Sequence, residues 1–173
     1  MPDTQAMVTE LIPAMRAFAR SFCPDPSDAD DLVQQTLMRA LMSLDQYEPG
    51  TKLKAWMFTI MRNAFYTSIK RYNREKPGAA ADIASEFGNH RSVPASQNWT
   101  AAVREVHFAM NRLPDVQREA LVLIAILGTS YEDAAEICNC EVGTIKSRTS
   151  RARSNLLALL GESDAYEFLA EVA

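Results

Sequence analysis

Residues 131–153 read YEDAAEICNCEVGTIKSRTSRAR, laid out as a helix, a short turn and a basic helix. At 100° per residue, Val142, Ile145, Thr149, Ala152 and Leu156 fall on one flank of the second helix, the flank expected to pack on its neighbours. The opposite flank carries Ser147, Ser150, Arg151 and Ser154, bordered by Lys146 and Arg153 on one side and Arg148 on the other. No Asp or Glu occurs from Val142 to Gly161. Small polar groups between cations suit a helix lying in a major groove. Ser147, Ser150 and Arg151 are then the candidates for base edges, Arg148 and Arg153 for the phosphate backbone, and Lys146 for either. The alternative is the solvated basic helix of an ordinary bundle.

Working outward from this stretch, the chain reads as helical throughout, with no strand pattern and no internal repeat. Helical stretches are expected at about 99–111, 115–127, 131–138 and 142–160. Pro114 fits a helix start, Gly128 a helix stop, and Ser130 a cap with acidic Asp133 three places later. Upstream, residues 4–22 form a first helix interrupted or kinked at Pro13. A second starts near Ser27 or Asp28 and runs to about Leu44, and a third, with Thr51 as N-cap, runs to about Tyr72. From Pro77 to about Asn98 the composition turns to Pro, Gly, Ala, Ser and scattered charge, with at most a short helix at Ala80 to Phe87. Residues 77–98 therefore read as a flexible linker, across which a domain of residues 1–76 and one of residues 99–161 are expected to behave as independent bodies. Residues 162–173 form an acidic C-terminal tail.

Charge placement adds a second nucleic-acid signal. The chain has 173 residues and a formal net charge of −4, and the tail's Glu162, Asp164, Glu167 and Glu171 account for all of it. Between Pro49 and Arg74 there are six Lys or Arg residues and five aromatics, without one Asp or Glu. Such a bias can meet phosphates through its cations and unpaired bases through its rings, although each ring can equally be core. On the third helix Lys52, Thr59, Arg62, Asn63, Tyr66 and Lys70 share a polar flank, whereas Trp56 lies among Leu53, Met57 and Ile60 and reads mainly as core. On the second helix Val33, Leu37, Ala40, Leu41 and Leu44 share the core flank; Asp31, Gln34, Gln35, Met38 and Met42 face away, as incidental surface or as an adaptable contact face.

Several classes of function are disfavoured. The N-terminus has no secretory pattern, and the longest aliphatic run, Leu121 to Leu127, is too short to cross a bilayer, so a cytoplasmic protein without membrane contact is expected. Cys23, Cys138 and Cys140 form no CxxC pair and lie far from His90 and His107; no metal site, cofactor or disulfide framework is expected. No nucleophile and base, and no carboxylate cluster, can be assembled for catalysis.

DADDLVQQTLMRAL, then YEPGTKLKAWMFTIMRNAFYTSIKR, then VGTIKSRTSRAR together resemble an extracytoplasmic-function (ECF) sigma factor, over about residues 8–75 and 105–160. The combination of PGT, LKAW, FTI and RN with YEDAAEIC and VGTIKSR resembles more narrowly the general-stress-response (EcfG-type) group of alphaproteobacteria. The resemblance implies an all-α fold of two small domains, sigma region 2 and sigma region 4 with its helix-turn-helix. It implies core RNA polymerase and promoter DNA as partners, and control by a small NepR-like anti-sigma factor that competes with polymerase. By position it sets Asp31, Gln34, Gln35 and Met38 against the polymerase clamp, and Lys52, Lys54, Arg62, Asn63, Tyr66 and Lys70 at the minus-10 element. Lys146, Ser147, Arg148, Ser150, Arg151 and Arg153 fall at the minus-35 element. The loop Tyr47 to Leu53 matches the segment that captures a flipped base, where Glu48 is a departure, as Glu141 is before the basic helix. A sigma-like decoy that sequesters an anti-sigma protein and a stand-alone helix-turn-helix repressor are the alternatives.

Overall fold

The computed structural model describes the backbone of residues 4–23, 25–47, 52–75 and 101–172, and every element among them is helical. Helix α1 spans Thr4–Ala19 with Pro13 inside it, α2 Pro26–Met42 and α3 Leu53–Glu75. In the second half α4 spans Ala101–Arg112, α5 Asp115–Leu121, α6 Tyr131–Cys138 and α7 Val142–Val172. The expected linker 77–98, its short helix and the Thr51 cap lie outside the described residues.

Local chemistry sets most boundaries. Asp25 caps α2 by accepting from the backbone N–H of Ser27 at 2.8 Å, with Pro26 at the first helical position, where a missing N–H costs nothing. The start therefore falls one or two residues before the expected Ser27 or Asp28. The Ser130 side chain accepts from the Asp133 N–H at 3.1 Å, as the sequence implied. Helix α6 ends at Asn139, whose φ of 49° lets its own N–H reach Glu136 O and the Cys140 N–H reach Ala135 O, a Schellman closure that makes the turn before α7.

The stretch expected as one helix over 115–127 is divided. After Leu121 the coil widens to a π-helix at Val122–Ile126, with the Leu127 N–H bonded to Val122 O, and Gly128 then leaves it with a φ of 60°. Helix α7 also runs on through the expected tail to Val172.

Helices α1–α3 enclose Met15, Phe18, Met57, Phe58 and Met61, all fully buried, with the Phe18 and Phe58 rings stacked at 4.7 Å. Thr36 and Thr149 sit in the interior because each hydroxyl donates to the carbonyl four residues back, at 2.7 and 2.9 Å. The core flank of α2 is shorter than expected: Leu41 and Leu44 are exposed, because its buried strip of Ala29, Leu32, Val33 and Thr36 ends at Ala40, two residues before the helix does.

The expectation of independent domains is not met. The apolar core of α1–α3 continues into Val122, Leu123, Ala134, Ala135 and Ile137 of the second half, and α3 packs along α6. The buried Arg118 guanidinium on α5 crosses the boundary, donating to Ser21 O after α1 at 2.6 Å. It also holds Leu113 O at 3.1 Å and Asp115 Oδ1 at 2.7 Å. Linker composition has no bearing on this, since complementary faces on the two domains decide whether they pack.

Candidate nucleic-acid interface

Helix α7 presents the flank the sequence assigned to DNA. Ile145, Thr149 and Ala152 are buried and Val142 and Leu156 partly so, leaving Lys146, Ser147, Ser150, Arg151 and Arg153 exposed. Arg148 is half-buried, its Nη1 3.8 Å from Cys140 Sγ, so it braces the turn as well as bordering the groove flank. Lys146 Nζ stands 5.7 Å from the centre of the Tyr131 ring, and Ser147 Oγ donates to Thr144 O at 3.0 Å. The exposed Glu141 precedes the helix, and its carbonyl accepts from Thr144 and Ile145, opening α7 at its positive end.

The six minus-10 candidates divide. Asn63 and Lys70 are exposed on α3. Lys52 forms an ion pair with Asp133 of α6, which holds the Lys52 ammonium above and the Asp133 carboxyl below their ordinary pKa ranges. Lys54 Nζ donates to Leu127 O, just after the π-helix, at 2.6 Å. Arg62 Nε donates to Glu119 Oε1 of α5 at 2.7 Å, with side chains 17% and 1% exposed. Burial raises the Glu119 carboxyl, opposed by Arg62. Its Oε2 accepts no hydrogen bond among the described residues, and the Cys138 thiol acts on the carboxyl as a weak donor. Tyr66 lies under the Arg62 guanidinium at 4.7 Å and against Phe22 and Phe65; burial, then Glu119, push its phenol up to about 12.

Most of the described rings between Pro49 and Arg74 are structural. Phe58 and Phe65 are buried, and Trp56 is partly buried against Tyr47 at 5.2 Å. Packing therefore accounts for these rings without a base-stacking role. On α2, Asp31, Gln34, Gln35 and Met38 are exposed, Met38 at 64%, and the patch is extended by Leu41, Met42 at 84% and Leu44. The Cys23 thiol is pushed up to about 12 by burial and the Cys138 thiol is raised further, so neither is a reactive thiolate. No metal-binding cluster of His, Cys, Asp and Glu occurs among the described residues, and no described helix is long and apolar enough to cross a membrane.

A helix-turn-helix with a cationic outer flank, joined to a three-helix domain with its own cationic helix and an exposed amide and methionine face, defines a two-part transcription factor of the sigma type. Residues 7–75 match the family described as Sigma-70 region 2, and residues 104–156 the family described as Sigma-70, region 4. The chain is 44% identical over 171 residues to the ECF RNA polymerase sigma factor EcfG of Rhodopseudomonas palustris, covering 97% of this chain and 92% of that protein. It is 36% identical over 143 residues to the ECF RNA polymerase sigma factor SigM of Bacillus subtilis, covering 82% and 85% respectively. The fold resembles the sigma factor RpoE of Bartonella quintana in complex with the anti-sigma factor NepR, with a TM-score of 0.76 and 40% identity over 92% of this chain and 98% of that one. It also resembles CnrH in complex with the cytosolic domain of CnrY, with a TM-score of 0.61 and 28% identity over 92% and 90%. The chain belongs to the ECF sigma factors and directs promoter recognition and transcription initiation by RNA polymerase.

Proposed function

We propose that this sigma factor serves general-stress-response promoters in the cytoplasm and is held in check by a NepR-like anti-sigma protein. In this reading residues 1–76 bind core polymerase through Asp31, Gln34, Gln35 and Met38 and engage the minus-10 element through Lys52, Lys54, Arg62, Asn63, Tyr66 and Lys70. Residues 99–161 read the minus-35 element through Lys146, Ser147, Arg148, Ser150, Arg151 and Arg153, residues 77–98 link the two parts, and residues 162–173 form an acidic end. The chain performs no bond chemistry. Strand separation is driven by binding, since capture of an unstacked base offsets the few kcal/mol of stacking that it loses.

The observation that carries the reading is the α7 flank, where buried Ile145, Thr149 and Ala152 alternate with exposed Lys146, Ser147, Ser150 and Arg151 in the register that a groove-reading helix needs. The NepR and CnrY complexes of the two structural relatives support control by a protein partner. Run-off transcription with core polymerase and a promoter library tests the reading: sequence-selective initiation is expected, whereas DNA binding without initiation points to a repressor, and silence to a decoy.

A further inference from the structure

Three of the six candidate minus-10 residues are engaged by the second domain of the same chain. Lys52 pairs with Asp133, Arg62 with Glu119, and Lys54 with the Leu127 carbonyl, partners 81, 57 and 73 positions away. The charges of Glu136 and Glu132 also act on Lys52, so it faces an acidic surface along α6 and not one carboxylate. Acids in the first turn of α6 suit its N-terminal dipole, but that accounts neither for Glu136, in the last turn, nor for the buried Glu119 on a different helix. Carboxylates and a carbonyl oxygen here occupy the donors that would otherwise hold phosphate oxygens.

We propose that Glu119 and the acidic face of α6, Glu132, Asp133 and Glu136, act as an internal mimic of promoter DNA, docked on the minus-10 surface of α3 so that the free chain is closed to DNA. The inference rests on the assignment of Lys52, Lys54 and Arg62 to the minus-10 element. The closed and DNA-bound arrangements compete, because Arg62 and Lys54 lie against the second domain while Asp133 offsets the charge of the exposed Lys52. Minus-10 engagement therefore requires that the second domain first leave α3. The apparent affinity of free protein for single-stranded DNA is reduced by the fraction of molecules that are open.

The test pairs the conservative variant Glu119→Gln/Asp133→Asn of the full chain with the parent, with helicity checked by circular dichroism. Small-angle scattering reports whether the domains part, and fluorescence anisotropy reports binding to a short, fluorescein-labelled single-stranded oligonucleotide of randomised sequence. The expected result is a larger radius of gyration and oligonucleotide binding tightened about tenfold. An unchanged radius would overturn the latch while leaving the minus-10 assignment standing, which reduced run-off transcription by Lys52→Ala reports separately. A larger radius with unchanged oligonucleotide binding would overturn the mimicry, by showing that the released cations do not hold single-stranded DNA.

Discussion

Arg62 on α3 and Glu119 on α5 meet at 2.7 Å across the boundary between the two domains, and the acid is the more deeply buried partner, at 1% exposure. The pair is therefore asymmetric. Arg62 has an edge toward water, whereas an unpaired Glu119 has none while the domains stay packed.

Arg62→Ala is expected to cost more than the double change Arg62→Ala/Glu119→Ala. Breaking a buried pair from one side leaves an uncompensated charge worth about 3–5 kcal/mol, and separation of the domains caps the loss below that figure. Urea denaturation of the four species in a double-mutant cycle measures the difference. A double variant less stable than the single Arg62→Ala would count against the asymmetry.

Arg151→Ala is expected to weaken minus-35 recognition by about 1–3 kcal/mol, the worth of a bidentate base contact, while polymerase binding persists. The readout is holoenzyme affinity for promoter and for scrambled DNA. Equal losses on both would show that Arg151 contributes charge alone.

Gln35→Asp/Met38→Asp is expected to weaken association with core polymerase without loss of helicity, since both side chains are exposed on α2. Pull-down with core enzyme reads the first effect and circular dichroism the second. Undiminished pull-down would remove this face from the polymerase contact.

The phenol of Tyr66 is raised to about 12. A group raised in the folded state contributes stability in full below its unfolded value, about 10, and loses that contribution as pH rises through its folded value. The parent's urea midpoint should therefore fall more steeply between pH 10 and pH 12 than that of Tyr66→Phe. Ultraviolet titration of the two proteins should differ by one late-ionising tyrosine; a difference step near pH 10 would contradict the burial.

Asn139→Val is expected to destabilise the helix-turn-helix by about 1–2 kcal/mol, because a branched side chain resists positive φ, whereas Asn139→Gly should be near neutral. Urea midpoints of the two variants decide it.

Much of this was legible in sequence because it depends on near neighbours. The Ser130 cap, the bounds of α6 and the alternation along α7 each follow from residues within a turn or two. Asn139 carried a weaker signal, as a residue tolerant of positive φ between two helical stretches. The π-helix had none, since Val122–Ile126 is as aliphatic as an ordinary core helix. Leu41 and Leu44 were misplaced because periodicity shows which side of α2 is apolar but not how far the underlying helices extend. The contacts of Lys52, Lys54 and Arg62 were out of reach for a different reason. Their partners lie on another domain, and a cation destined for phosphate looks the same in sequence as one paired with a distant carboxylate.

The Lys52 and Asp133 pair also bears on how binding responds to ionic strength. A phosphate that takes up a lysine sheds its condensed counterion, and the entropy of that release makes DNA binding fall with added salt. Where the lysine must first leave a carboxylate of its own chain, salt weakens that competing pair as well, which offsets part of the dependence. Added salt also screens this exposed pair, loosening the closed form while it weakens the hold on DNA. The free chain should therefore respond to salt less steeply than its number of phosphate contacts implies, and a variant whose domains have parted, such as Glu119→Gln/Asp133→Asn, more steeply.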